Sequence, residues 1–180
     1  MAAPVETEIK LRTDGPEAAR AAVAALGATL ERARHFEDNV LYDDASSSLY
    51  AAGKVLRLRR AEGRAIVTYK GPRQERSDGV KSRPETEIEV SDGDAFHAIL
   101  TALGYVKVFR YQKYRETYRW REVEIVIDET PIETYLEIEG PVEVIHEAAR
   151  ALGHGPADYI ADSYAALFLA SGGTGDMVFK

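Results

Sequence analysis

The chain has 180 residues, 45% of them hydrophobic, enough for one domain with a sizeable core, and no composition break divides it. A net charge of −7 and a pI near 5.2 argue against a nucleic-acid partner, and the absence of cysteine excludes disulfides, thiolate metal sites and cysteine nucleophiles. Met1 to Pro4 offer no basic start followed by an apolar run, and no stretch reaches the ~18 apolar residues of a membrane span. The expectation is a cytoplasmic protein without a membrane partner.

Val5 to Arg12 reads as the first strand, with Glu6, Glu8, Lys10 and Arg12 on one face and Val5, Thr7, Ile9 and Leu11 on the other. Glu17 to Leu26 is an Ala-rich helix that Gly27 stops. Ala28 to Asp43 is extended, and Ala45 to Gly53 a loop with a helical turn. Lys54 to Arg60 and Arg64 to Lys70 form a hairpin around Ala61-Glu62-Gly63, with Arg57 and Arg59 on one face of its first strand and Thr68 and Lys70 on one face of its second. Arg73 to Val80 is an exposed loop that could close over a site. Lys81 to Val90 aligns Lys81, Arg83, Glu85, Glu87 and Glu89, with Pro84 favouring an edge or bulge.

Ser91 to Asp94 supplies an N-cap for a helix over Ala95 to Leu103. Tyr105 to Trp120 is a long extended stretch with Lys113 and Arg115 on one face. Val123 to Asp128 and Thr134 to Glu139 are shorter strands, the first ending on Asp128 and the second carrying Glu137 and Glu139. Two closing helices are expected over Val142 to Leu152 and Ala157 to Ala170, followed by a tail, Ser171 to Lys180, frayed at its start.

The sum is an α+β chain of eight mostly antiparallel strands with helices packed outside. Its charged strand faces either meet solvent on one side of an open sheet or line the lumen of an eight-stranded β-barrel; periodicity alone allows both. The face carries Glu6, Glu8, Glu85, Glu87, Glu89, Asp128, Glu137 and Glu139 against Lys10, Arg57, Arg59, Lys70, Arg83, Lys113 and Arg115. Arg forks and Lys ammonium groups suit phosphate oxygens, and carboxylate pairs suit Mg²⁺ or Mn²⁺, so the combination points to a metal-bound polyphosphate.

In order along the chain, Glu6-Thr7-Glu8-Ile9-Lys10, Leu56-Arg57-Leu58-Arg59, Thr68-Tyr69-Lys70-Gly71-Pro72, Arg83 to Glu89, Lys113-Tyr114-Arg115, Asp128 and Tyr135 to Gly140 resemble the CYTH superfamily, the triphosphate tunnel metalloenzymes. The resemblance covers residues 5 to 168 of a single domain. It implies an eight-stranded antiparallel tunnel holding a small-molecule triphosphate. By the same resemblance Glu6, Glu8, Glu137 and Glu139 hold one or two Mg²⁺ or Mn²⁺ ions. Lys10, Arg57, Arg59, Lys70, Arg83, Lys113 and Arg115 hold phosphate oxygens. Lys10, Glu87 and Asp128 are the catalytic candidates, Asp128 through metal or water positioning. One departure is Ile132-Glu133-Thr134, where the family often has Leu-Gly.

Two chemistries share such a site. In a triphosphatase water attacks a phosphorus atom; in a class IV adenylate cyclase the ribose 3′-hydroxyl of ATP does, and pyrophosphate leaves. Hydrolysis is the leading expectation, cyclisation the alternative, and a non-catalytic polyphosphate or nucleotide binder the third. Tyr42, Tyr111 and Tyr135 are the aromatics that could reach a tunnel mouth. His35, His97, His146 and His154 show no ligand spacing.

Overall fold

The computed structural model describes residues 4–74 and 76–180, so Met1 to Ala3, on which the leader expectation partly rests, lie outside it, as does Glu75 of the loop before the fifth strand. Its strands are β1 (Val5–Thr13), β2 (Thr29–Asp44), β3 (Val55–Ala61), β4 (Arg64–Lys70), β5 (Lys81–Val90), β6 (Tyr105–Trp120), β7 (Val123–Glu129) and β8 (Thr134–Glu139). Each neighbouring pair is antiparallel, in the order β1-β5-β4-β3-β2-β6-β7-β8, and β8 returns to β1, so the sheet closes into a barrel. Closure settles the two architectures in favour of the tunnel.

The period-2 pattern explains which face turns outward. Ile9 and Leu11 of β1, Ile125 and Ile127 of β7 and Leu136 and Ile138 of β8 are buried on the outer wall, beneath α1 (Pro16–Ala25) and α4 (Val142–Ala151). At about 1.5–3 kcal/mol for each such side chain, that wall cannot stay wet, and helices must cover it. α3 (Gly93–Ala102), capped by Asp92 accepting from the Asp94 and Ala95 amides, covers Val40, Leu58 and Val67. The remaining helices are the single turn α2 (Ser48–Ala51) and α5 (Tyr164–Ala170). No helix among the described residues is long and apolar enough to cross a membrane.

Pro84 marks neither an edge nor a bulge. It stands where β5 changes partner, residues 81–84 pairing with β1 and residues 85–90 with β4, a point at which a missing amide donor costs least. Gly140, which ends β8, has φ +149°, and a Cβ there would lie 2.9 Å from the Glu122 carbonyl oxygen. Glycine thus lets β8 stop against the β6–β7 turn.

Two expectations for the C-terminus are corrected. The last helix begins at Tyr164, not Ala157; Pro156–Asp158 is a 3-10 turn, and the chain then runs past β1, where the Ile160 amide donates to the Lys10 carbonyl. Past a mostly exposed start, residues 171–175, the tail packs back onto the barrel. β7 pairs only with the Tyr114 to Trp120 half of β6, and residues 176 to 179 cover part of the other half. The Met177 amide donates to the Arg110 carbonyl, its own carbonyl accepts from Gln112, and its side chain is fully buried with Tyr111, Tyr135 and Tyr164. The core therefore reaches past residue 168, to Met177.

Candidate active site

The inner faces of the strands enclose a cavity of about 560 Å³. Of its 25 lining residues 16 are charged, nine cationic and seven anionic. β1 delivers Glu6, Glu8 and Lys10; β3 Arg57 and Arg59; β4 Lys70; β5 Lys81, Arg83, Glu85 and Glu87; β6 Lys113 and Arg115; β8 Glu137 and Glu139. Every expected site residue except Asp128 lines the cavity, and Asp128 lies directly behind it with no exposed surface. Two residues on the charged strand faces do not line the cavity: Glu89 pairs with exposed Arg64, and Arg12 lies on exposed Glu133 at 2.7 Å. Glu133 also accepts from the Tyr135 hydroxyl at 2.9 Å, so the side chain standing where the family often has Gly is absent from the cavity lining.

The charges are held in pairs. Lys70 Nζ lies 2.7 Å from Glu6 and 2.8 Å from Glu85; Lys81 lies 3.1 Å from Glu8, and Lys10 3.4 Å from Glu137. Asp128 accepts from Lys113 Nζ at 2.7 Å, Arg115 Nε at 2.7 Å and Nη2 at 2.5 Å, and the Tyr164 hydroxyl at 2.7 Å. Arg115 also reaches Glu137 at 2.7 Å. Against the cost of burial, Asp128 and Glu37 hold the Arg115 guanidinium charged, and Lys10, Lys113 and Arg115 hold the Glu137 carboxyl well below the usual carboxylate range. Burial, followed by Asp128, pushes the Tyr164 phenol well up, which keeps it a proton donor. Its ring also lies under Lys10 Nζ at 4.0 Å.

On the wall formed by β3 to β5, Arg57 Nη2 donates to Thr68 Oγ1 at 2.9 Å, and that hydroxyl donates to Glu87 at 2.9 Å. Arg83 is anchored by backbone, donating from Nε to the Gly71 carbonyl at 3.0 Å and from Nη2 to the Gly53 carbonyl at 2.8 Å.

Carboxylates gather where β1, β8 and β7 run side by side, Glu8 opposite Glu139 and Glu139 opposite Glu124. Burial, with Glu6, Glu124 and Glu8 adding like charge, pushes the Glu139 carboxyl up to about 7. Such a crowd of hard oxygen donors fits a divalent cation, which would relieve the repulsion. As the side chains stand, no three acidic or imidazole groups among the described residues converge on one point, and Glu6 is paired with Lys70 and Glu8 with Lys81.

Two lining residues escape a reading by strand parity: Arg73 comes from the loop expected to close over the site, and Tyr164 from what reads as mid-helix. Glu124 shares the parity of Asp128 on β7 and lines the cavity without being among the expected site residues. Lys81 has the parity of Arg83 and Glu85 and lines the cavity as a further cation that the family resemblance does not single out. Glu37 and Asn39, buried behind Arg59, share a face with His35, but charged Asp38 stands between them on the other face, so no alternation of charge singles that face out. Of the three tyrosines singled out, Tyr111 lines the cavity, Tyr42 packs outside against His97, and Tyr135 is buried beside Glu133.

The family model of the CYTH domain matches residues 5–164. A protein of Methanocaldococcus jannaschii provisionally named adenylate cyclase is 27% identical over 149 residues, 82% of this chain and 83% of that relative. Among solved structures, a Vibrio parahaemolyticus protein, also provisionally named adenylate cyclase, superposes with a TM-score of 0.80 at 19% identity, covering 93% of this chain and 99% of that one. A Hippeastrum protein described as having a dominant triphosphatase activity gives 0.69 at 22% identity, with 94% and 97% covered. Each of the two structures has the same fold.

Proposed function

Because this chain belongs to the CYTH domain family, we propose that it is a divalent-metal-dependent phosphohydrolase acting on a triphosphate, inorganic or organic, bound along the tunnel. The observation that carries the proposal is the combination, in one cavity, of nine cationic side chains with the crowded carboxylates Glu6, Glu8, Glu124 and Glu139. A polyanion needs the first, and a pure anion binder has no use for the second.

Glu6, Glu8 and Glu139 would hold Mg²⁺ or Mn²⁺, with Glu137 beside them. The ion supplies Lewis-acid neutralisation of phosphoryl oxygens when bound. Arg57, Arg59, Lys113 and Arg115 present N–H donors to the phosphate oxygens from one wall, and Lys10, Lys70 and Arg83 from others. Asp128 and Glu137 hold Lys113 and Arg115 aimed inward before the substrate arrives, so the cations need little reorganisation as charge moves onto the leaving phosphate. Glu87 orients Arg57 through Thr68. Lys10, fixed between Glu137, the Asp162 carbonyl and the Tyr164 ring, is the cation on the same strand as the Glu6 and Glu8 carboxylates.

Cyclisation of ATP is the alternative, favoured by the names of the archaeal and Vibrio relatives. The Hippeastrum neighbour's dominant triphosphatase activity supports hydrolysis. Phosphate release from tripolyphosphate with Mg²⁺ or Mn²⁺, in wild type and in Glu6→Gln and Glu8→Gln, tests the metal assignment. Turnover should vanish with a chelator and in both variants; unchanged turnover in the variants would refute it.

A further inference from the structure

Behind the cationic wall lies a layer that the proposed reaction does not use. His35, Glu37 and Asn39 occupy alternate positions of β2, and all are buried, Glu37 with 1% and Asn39 with 0% of its surface exposed. None of them lines the cavity; Arg59 and Lys113, which do, stand in front. Strand register sets this up, placing Asn39 opposite Arg59 and Glu37 opposite Lys113. Asn39 Oδ1 accepts from Arg59 Nε at 3.1 Å, and Glu37 Oε1 lies 3.2 Å from Arg59 Nη1. Glu37 Oε2 lies 3.6 Å from Lys113 Nζ. His35 donates from Nδ1 to the Ala33 carbonyl at 2.9 Å, which turns Nε2 toward Glu37 Oε1 at 3.4 Å. Burial favours a neutral Glu37, but Lys113, Arg115, the His35 contact and Arg59 hold its carboxyl well below the usual range.

We infer that Glu37 and Asn39 are positioning residues that clamp the Arg59 guanidinium from behind, with Glu37 also steadying Lys113, so that both cations face the cavity in a fixed orientation. An arginine fork rewards such clamping because its donors are coplanar, and a fork free to rotate presents fewer of them to a phosphate. The inference rests on reading the cavity as a triphosphate site. Two effects of Glu37 oppose each other. Its charge repels an anion in the cavity, whereas its contacts orient the groups that bind one. The inference holds that orientation wins. Asn39, being uncharged, isolates the orienting effect.

The experiment is a double-mutant cycle on tripolyphosphate binding, measured by calorimetry with Asn39→Ala, Arg59→Ala and the double variant. Asn39→Ala should weaken binding about tenfold in the wild-type background and less than about twofold once Arg59 is gone. An equal loss in both backgrounds, or none in the first, overturns the clamp. Glu37→Gln, isosteric and the fallback if Asn39→Ala fails to fold, should also weaken binding despite removing a negative charge; tighter binding would overturn the role given to Glu37. A second readout needs no ligand. In ¹⁵N-labelled protein the Arg59 Nε–H signal should be protected from exchange and lose that protection in either variant, while the Arg115 signal keeps it. Absence of tripolyphosphate binding by the wild type would refute the functional reading, and the arginine signals would still decide this one.

Discussion

Replacing Asp128 by Asn keeps the size of the side chain and removes the charge around which the inner wall of the barrel is built. Asp128 has no exposed surface and accepts four hydrogen bonds, from Lys113, from Arg115 twice and from Tyr164. Removing one partner of a buried pair costs about 3–5 kcal/mol, because the other charge is left uncompensated. Glu37 and Glu137 still face Lys113 and Arg115 in the variant, which argues for the lower end, about 3 kcal/mol. For a domain of this size that corresponds to a Tm lower by about 6 to 12 °C, within the reserve of a protein stable by ~5–15 kcal/mol. Urea titration followed through Trp120, the single tryptophan, gives the free energy, and calorimetry gives Tm. A loss below about 0.5 kcal/mol, the scatter of neutral surface substitutions, would refute the view that Asp128 holds the wall together.

Tyr164→Phe removes one of those four donors and should cost about 1 kcal/mol in the same titration; a loss as large as that of Asp128→Asn would contradict the ranking. Glu139 binds a proton more tightly folded, at about 7, than at its ordinary 4.5, so its contribution to stability is full below the lower value and is lost as pH rises through the higher. With a chelator present, wild type should gain stability relative to Glu139→Gln on going from about pH 8 to about pH 5.5, and parallel pH profiles would contradict the shift. Met177→Ala, which empties a buried position against three tyrosines and the uncovered half of β6, should cost about 2 kcal/mol or more; an unchanged Tm would show the tail to be dispensable.

Much of the barrel is legible because charged residues mark one face of each strand so regularly. β1 and β5 carry carboxylates or cations at every second position, β8 carries Glu137 and Glu139 after Tyr135, and glycines stand where the helices stop. Parity predicts that Glu6, Glu8, Lys10, Arg57, Arg59 and Lys113 share a face; only pairing of β8 with β1 makes that face a lumen. Parity fails where both faces are polar or where there is no strand. Glu37-Asp38-Asn39 puts polar groups on both sides of β2, and the loop that brings Arg73 has no period to read. It also runs on too far, counting Arg12 and Glu89 after their strands have left the cavity. Ala157 to Ala170 has helical composition throughout, yet its first half is drawn out along β1, where the Ile160 amide and the Asp162 carbonyl bond to Lys10. Those contacts are non-local, and no local propensity announces them.

The most direct test of the account is to incubate the purified protein with Mg²⁺ or Mn²⁺ and either tripolyphosphate or ATP, and to resolve every product by ion-exchange chromatography. The account predicts orthophosphate, released faster from tripolyphosphate than from ATP, and no product with a chelator. Cyclic AMP and pyrophosphate from ATP would establish the cyclase instead, and no product with either metal would leave a charged tunnel that binds without turning over.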